Sequence, residues 1–242
     1  MSKIEFIGKS LLIDNSVLVI GDLHLGYEGS MRESGYMIPS SLYKQTIEDL
    51  DLIFDRIGKG VDKVVILGDL KHEFGKYAED EWKEIGEAMN YLRRNTKEVI
   101  IVKGNHDAII DSMIENLDRV KLVDYYLWEE FCFLHGDRDF KDKIYDKKIK
   151  YWIIGHGHPA VTLYDKSGGI KKEKYKCFLV GAYNRKKVIV VPSFFPLVEG
   201  SDPRDYDLRL IWKFNLDKFN VRIVGESERG LETLDFGKLG KL

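Results

Sequence analysis

Residues 18–26, LVIGDLHLG, join an apolar strand pattern to two residue types that bind metals. The apolar run ends at Ile20, and Asp22 and His24 follow it two positions apart. Side chains two residues apart point the same way in extended backbone, so this carboxylate and imidazole can converge just past the strand. Asp and Gly are also common in ordinary turns. Taken alone, the stretch fits either a turn or part of a metal site.

The other histidines repeat this placement. Each follows or ends an apolar run, and none falls inside a predicted helix. In α/β proteins ligands bind beyond the carboxyl ends of the strands, and glycines let the chain turn sharply there. Five loops would therefore bring together His24, His72, His106, His135, His156 and His158, with Asp22, Asp69 and Asn105. We interpret Asp22 and His24 as two ligands of a larger metal centre.

The elements that must position these residues alternate between strand and helix in the first half. This order is typical of βαβ units and a mostly parallel sheet. The patterns predict a hairpin at 3–7 and 11–14, strands at 17–20, 61–69 and 98–107, and helices at 41–57 and 80–94. Ser40 or Ser41 would cap the first helix, and Asp80 the second.

After about residue 120 short strands follow one another closely. They are predicted at 131–135, 151–155, 160–164, 175–181, 187–192, 207–214 and 219–224. The expected fold class is α/β, with two packed mixed β-sheets flanked by helices. Residues 215–217, NLD, resemble the turn of a late hairpin, and the last dozen residues resemble a surface tail. We expect one domain over 1–242, with a core at about 17–200 and a carboxy-terminal hairpin and tail at about 205–242.

Composition limits the classes of function. Of 242 residues, 44% are hydrophobic and 32% charged, and the net charge is -2, so the chain carries no overall basic field for nucleic acid or membranes. Two distant cysteines, Cys132 and Cys177, argue against a disulfide framework or a thiolate zinc site. Without a signal-peptide pattern or an apolar membrane span, we expect a cytoplasmic protein with no membrane partner.

Five sequence blocks resemble the calcineurin-like metallophosphoesterases. The family pattern is DxH, GDxx, GNHD or GNHE, a histidine after an apolar strand, and GHxH. Here the blocks are Asp22-Leu23-His24, Gly68-Asp69-Leu70-Lys71-His72, Gly104-Asn105-His106-Asp107, His135, and Gly155-His156-Gly157-His158. All five occur in order, which makes the resemblance specific. It implies an αββα sandwich.

The resemblance also implies a ligand set for two divalent metals. Asp22, His24 and His158 would hold the first ion, Asn105, His135 and His156 the second, and Asp69 would bridge them. Carboxylate, amide and imidazole donors without thiolate suit Mn²⁺, with Fe, Ni or Zn as alternatives.

Such a centre would hydrolyse phosphate esters through a hydroxide that bridges the metals. The GDLKH block and the compact length resemble small SbcD-related phosphoesterases of archaea and bacteria, which implies phosphodiester substrates in nucleic acid or nucleotides. A phosphomonoesterase or a hydrolase of a nucleotide-linked small molecule is the alternative enzyme. A non-catalytic protein-binding scaffold of the same fold is a further alternative, although every ligand position is filled here.

Several residues beside the ligands are candidates for other roles. His106 would protonate the leaving group or stabilise phosphoryl charge. Asp107 would orient His106 or cap a helix at 108–114. His72 would position the diester, by the SbcD resemblance, or be a surface loop residue. Substrate contacts are expected from three arginines: Arg32, Arg138 and Arg185.

Overall fold

The central strands of the amino-terminal half are buried on both faces, which dictates a layered architecture. In the strand Val17–Ile20, Leu18 and Ile20 pack with the helices, while Val17 and Val19 pack against a second sheet. Strands covered on both faces need apolar residues at every position, as this run has. The computed structural model describes residues 2–37, 41–73, 79–164, 172–197, 199–227 and 230–242.

The first sheet has six strands in chain order. Its first three strands pair antiparallel, and the third to sixth pair parallel. The strands are β1 Ile4–Ile7, β2 Ser10–Ile13, β3 Val17–Ile20, β4 Val61–Ile66, β5 Thr96–Val102 and β6 Val120–Val123. The predicted hairpin and the predicted parallel strands are therefore confirmed.

The second sheet has eight strands and is mixed. Its strands are β7 Tyr126–Trp128, β8 Phe131–Leu134, β9 Tyr151–Ile154, β10 Ala160–Tyr164, β11 Lys172–Tyr183, β12 Lys186–Val190, β13 Asn220–Ser227 and β14 Gly230–Lys238. The spatial order is β14-β13-β11-β12-β9-β8-β7, and β10 pairs with β11. β9 runs parallel to both β8 and β12. The predicted fold class, two packed mixed sheets with helices, is confirmed.

Helices cover the outer face of the first sheet. In the described residues they are α1 Tyr27–Glu33, α2 Leu42–Ile57, α3 Glu79–Asn95 and α4 Asp111–Ile114. The backbone amides of Ser41 and Leu42 donate to the Glu28 carboxylate, at 2.6 and 3.0 Å, so this acid from α1 caps α2 in place of a serine side chain. Ser40 lies outside the described residues, and Asp80 lies inside α3. None of these described helices combines the length and the apolar character that a membrane crossing requires.

Irregular segments cover the outer face of the second sheet, and here one strand prediction is wrong. Residues 207–214 form no strand, although the buried side chains of Leu208, Leu210 and Trp212 alternate with more exposed neighbours, as they would in a strand with one buried face. Arg209 has a positive φ of 57°, which breaks the extended backbone that a strand requires. The alternating apolar residues therefore indicate which side of the segment is buried. They do not show that its backbone is hydrogen-bonded to a neighbouring strand.

The predicted surface tail and late turn are also wrong. Residues 215–217 do not connect two strands, because a 3-10 helix begins at Leu216. The late hairpin instead joins β13 and β14, from Ser227 paired with Gly230 to Asn220 paired with Lys238. The sequence did not predict β14, because glycines and charged residues interrupt its apolar pattern. The strand forms by pairing with β13, which local sequence does not reveal.

Candidate metal centre

The predicted ligands meet at one edge of the sandwich. β3, β4 and β5 of the first sheet run parallel, as do β8 and β9 of the second. The loops that follow these five strands carry Asp22, His24, Asp69, Asn105, His135, His156 and His158. The site thus lies between the sheets, where the carboxyl ends of strands from both converge.

Three overlapping groups of donor atoms form there, and within each group the atoms lie within 4.8 Å of one another. The groups are Asp22 with His24 and His158, Asp69 with His135 and His156, and His24 with Asp69 and His106. Asn105 adds an amide oxygen 3.1 Å from Nε2 of His135. The spacing suits divalent cations bound by nitrogen and oxygen donors.

Four of the predicted ligands have strained backbone. His24, Asp69, His156 and His158 all have positive φ, between 41° and 61°. Non-glycine residues rarely adopt this conformation, and it persists where the surrounding structure enforces it, often at functional sites. Asp22 and His24 do converge, but through a left-handed turn at His24. The extended-chain reasoning that predicted their convergence is therefore wrong in its geometry.

Two motif glycines are required by close packing of the loops. A Cβ at Gly104 would overlap the backbone and carboxylate of Asp69, and a Cβ at Gly68 would overlap the ring of His135. Without side chains, these residues let the GDLKH and GNHD loops touch.

Unpaired nitrogens support cation binding. Nδ1 of His24 and Nε2 of His158 are buried and have no hydrogen-bond partner within the described parts of the chain. A buried polar atom without a partner is costly, and a metal ion would satisfy both. The donor set of carboxylate, amide and imidazole therefore fits the divalent ions that the sequence predicts.

The electrostatics separate the histidines. Burial lowers the pKa of His24 to about 4, so its imidazole is neutral and able to ligate. Burial also acts to lower the pKa of His135, but the carboxylates of Asp69 and Asp22 outweigh it and raise this pKa to about 9. In Asp22, burial is outweighed by His158, His135 and His24, which hold the pKa of its carboxyl below the ordinary value. Asp22 is therefore an anion.

Asp107 binds backbone and not a helix end. Its carboxylate accepts from the amides of Leu70 and Lys71, at 3.0 and 3.3 Å, and from Gly104 at 2.9 Å. It ties the GDLKH loop to the GNHD loop. The helix-cap alternative is wrong, because α4 begins at Asp111 with Ile110 at its N-cap position. Burial raises the pKa of Asp107 to about 6.

A buried ion pair supports the same loop from the other side. Lys71 and Glu81 are both fully buried, with Nζ and Oε2 3.2 Å apart. The other Glu81 oxygen accepts from the amides of His72 and Glu73, each at 3.0 Å. Glu81 lies on α3, and nothing in its local sequence distinguishes it from a surface acid.

His106 and His72 lie next to each other. Nδ1 of His106 is 2.6 Å from the carbonyl oxygen of His72, and its Nε2 is 3.9 Å from Asp69. This carbonyl, rather than the Asp107 carboxylate, contacts the His106 ring. The His72 ring packs on Tyr27, with centroids 4.7 Å apart, and burial lowers its pKa.

The cleft at the centre has a volume of about 480 Å³. Its lining includes His24, Asp69, Asn105, His106, His156 and His158, together with Ser201, Tyr206, Asp207 and Arg209. Sequence reasoning missed the last four: Asp207 and Arg209 lie in the segment predicted as a strand, 207–214, and Ser201 and Tyr206 precede it.

The three predicted arginines do not line this cleft. Arg185 sits in the turn between β11 and β12, at the start of β12, so it lies at the opposite end of the sheet from the site, and its predicted substrate contact is wrong. Arg32 pairs with Asp80 at 2.7 Å. Arg138 donates to the Lys103 carbonyl at 3.1 Å, behind the GNHD loop.

Comparisons with known proteins find solved structures that are similar to this chain. Among solved structures the chain is similar to the Pseudomonas putida nuclease MPE, with 16% identity, a TM-score of 0.61, and coverage of 97% of this chain and 100% of that one. It is also similar to wild-type Vps29 of Entamoeba histolytica complexed with Zn²⁺, with 16% identity, a TM-score of 0.38, and coverage of 91% and 99%. The first likeness shows a shared fold. A comparison with curated protein sequences finds no match.

A family model supplies the assignment. The model described as calcineurin-like phosphoesterase matches residues 16–225, which span β3 to β13 and every loop of the site. This chain therefore belongs to the calcineurin-like phosphoesterase family.

Proposed function

We propose that this protein is a phosphodiesterase that depends on two divalent metal ions and acts on nucleic acid or nucleotide substrates. One observation carries the proposal. Asp69 belongs to two donor groups, one with His135 and His156 and the other with His24 and His106. A carboxylate shared between two sets of imidazoles is suited to bridge two cations. Family membership supports phosphoester hydrolysis in general.

The ligand set proposed here is that predicted from the sequence. Asp22, His24 and His158 would hold one ion, Asn105, His135 and His156 the other, and Asp69 both. When bound, the ions would activate a water molecule and neutralise phosphoryl charge. Carboxylate, amide and imidazole donors without thiolate suit Mn²⁺ or Fe²⁺ better than a structural zinc site, and Mn²⁺ is the ion that we propose, with Fe, Ni or Zn as alternatives.

The charge of the site favours an anionic substrate. The ligand set contributes only two carboxylates, Asp22 and Asp69, against five neutral donors. Two divalent ions with these carboxylates and one hydroxide keep a net charge of about +1. A phosphate ester would therefore be attracted into the cleft.

His106 is placed to deliver a proton. A carbonyl oxygen can only accept, so the contact with the His72 carbonyl fixes the proton on Nδ1 and orients the ring. The ring lines the cleft and packs against His24, with centroids 5.0 Å apart. We assign His106, in its imidazolium form, as the acid: Nε2 would give its proton to the leaving oxygen, while the Nδ1 proton stays hydrogen-bonded to the His72 carbonyl. His72 positions it through this carbonyl, and Asp107 through its hold on the loop backbone.

The preference for nucleic acid or nucleotides has two supports. The GDLKH block resembles SbcD-type nucleases, and the structural neighbour from Pseudomonas putida is described as a nuclease. Both concern other proteins, so the test must be made on this chain.

Hydrolysis of bis(p-nitrophenyl) phosphate and of p-nitrophenyl phosphate, each with Mn²⁺ and with EDTA, tests the proposal. We expect Mn²⁺-dependent turnover with a preference for the diester. A preference for the monoester would overturn the diesterase assignment in favour of a phosphomonoesterase. No turnover, together with less than one transition ion per chain after loading, would favour a protein-binding scaffold.

A further inference from the structure

A second groove adjoins the metal-site cleft, and one segment separates them. The segment 201–214, here called the cleft wall, contributes Tyr206, Asp207 and Leu208 to both spaces. The second groove has a volume of about 380 Å³ and continues along Trp212 and Phe214. Each space is within the range of roughly 300–1,000 Å³ typical of ligand clefts.

The cleft wall is firmly attached to the fold. Leu208, Leu210 and Trp212 are each 5% exposed and pack in the core of the second sheet. The amide of Ile211 donates to the Gly136 carbonyl at 3.0 Å, in the loop after His135. These contacts make the wall a rigid side of the cleft rather than a free loop.

The side chains that the wall presents have unused binding capacity. Tyr206 is 64% exposed, so much of its side chain is accessible to a ligand. Arg209 lines the metal-site cleft, and within the described ranges its guanidinium group donates no hydrogen bond and forms no ion pair. The nearby Asp207 carboxylate accepts from the Arg209 amide at 2.9 Å and lies 3.4 Å from Lys213 Nζ, so its charge is already balanced.

We propose that the cleft wall is a binding site for single-stranded nucleic acid next to the scissile phosphate. Arg209 binds a neighbouring phosphate, Tyr206 stacks on a base, and the strand continues into the second groove beside Phe214. This inference rests on the proposed function and gives it a substrate class. A guanidinium complements a phosphate, and an exposed ring complements bases, which present aromatic faces whatever the sequence.

The binding experiment uses the full chain treated with EDTA, so that it does not depend on catalysis. The probe is a fluorescein-labelled oligothymidylate of about ten nucleotides, within the roughly 4–16 that one single-strand-binding fold covers. We expect Tyr206→Ala and Arg209→Ala each to weaken binding about tenfold, and Tyr206→Phe to restore it because the ring remains. Arg209→Ala should also reduce the salt dependence, since one phosphate contact is lost.

Ile211→Ala is the matched control. Ile211 lies on the same segment and is 48% exposed, but it is not among the residues lining either space. Its variant should bind as the wild type does. Absence of binding by the wild type, equal binding by the wild type and both alanine variants, or failure of Tyr206→Phe to restore binding, would overturn the proposal.

Kinetics separate this inference from the proposed function. We expect kcat/KM for the oligonucleotide to fall about tenfold more than kcat/KM for bis(p-nitrophenyl) phosphate in Tyr206→Ala, because the small diester carries no neighbouring base. Equal losses on both substrates would overturn the inference and leave the phosphodiesterase intact. A wild type that hydrolyses neither would overturn the proposed function, while the anisotropy measurement would still decide the wall's role.

Discussion

The two sheets contribute different parts of the centre and hold them in different ways. The loops of the first sheet carry both carboxylates, and buried acids on the same side, Asp107 and Glu81, bind their backbone amides. The second sheet contributes three imidazoles, and polar atoms of the first sheet form hydrogen bonds with two of these histidines. Nδ1 of His135 is 2.7 Å from the Leu67 carbonyl, and the His156 amide is 3.2 Å from Asp22. The loop that carries Asp69 is therefore self-supported within the first sheet. The ligands of the second sheet depend on packing between the sheets, and so does Asp22, whose backbone carbonyl accepts from the amides of Phe194 and Phe195, at 2.9 and 3.1 Å, in the segment after β12.

The largest effect on activity and metal binding is expected from removing the charge of Asp69, the carboxylate proposed to contact both metal ions. Asp69→Asn should reduce activity by more than the roughly 10²–10⁴-fold that a single acid–base group supplies. It should also weaken both metals, because each proposed ion uses this carboxylate. Activity on bis(p-nitrophenyl) phosphate and metal content after dialysis measure the two effects. Full metal content in the variant would contradict the bridging role.

A catalytic side chain that ligates no metal should behave differently. His106→Ala should keep its metal but lose about 10²–10⁴-fold in turnover, since the leaving oxygen then departs without a proton. The loss should be greatest for substrates with poor leaving groups. If the variant hydrolyses such a substrate at the wild-type rate, His106 is not the acid.

The contribution of Asp107 to holding the loop that carries Asp69 can be tested by substitution. In Asp107→Asn an amide nitrogen faces a backbone N–H, so at least one of the three hydrogen bonds is lost. We expect about 10–100-fold weaker metal binding, as for other residues that orient ligands, and a loss of about 1–3 kcal/mol in the free energy of unfolding. Isothermal titration and urea denaturation measure these quantities. The exposed Asp118→Asn is the control, and equal behaviour of the two variants would remove Asp107 from this role.

A smaller effect is expected on the pH dependence of metal binding. The pKa of His135, raised to about 9, leaves this imidazole protonated in the metal-free protein at pH 7, whereas His24 is neutral. A ligating imidazole must lose its proton, so metal binding should release about one proton at pH 7 and become tighter as pH rises towards 9. Titrations in buffers of different ionisation enthalpy count the protons. Affinity that does not change with pH over this range would contradict the assignment.

The sequence was sufficient to predict which side chains meet at the site, because each follows a local pattern. Asp22, Asp69 and His156 come directly after apolar strands, and parallel strands end at a common edge. The positive φ at His24 was not predictable, because contacts from other loops impose it.

Residues that depend on distant contacts were missed. Arg209 belongs to the segment 207–214, which is predicted as a strand, and Tyr206 precedes that segment; only packing on the second sheet places them at the cleft. Glu81 and Glu28 look like surface acids of helices, yet they bind backbone amides from other segments. The local periodicity of apolar residues predicts which side chains are buried. It does not predict which loop a side chain will contact.

Anomalous scattering from crystals grown with Mn²⁺ tests the central claim most directly. We predict two anomalous peaks from manganese about 3.5–4 Å apart, with the Asp69 carboxylate in contact with both. Asp22, His24 and His158 should surround one peak, and Asn105, His135 and His156 the other. A single peak, or two peaks that do not share Asp69, would contradict a two-metal centre assembled from both sheets.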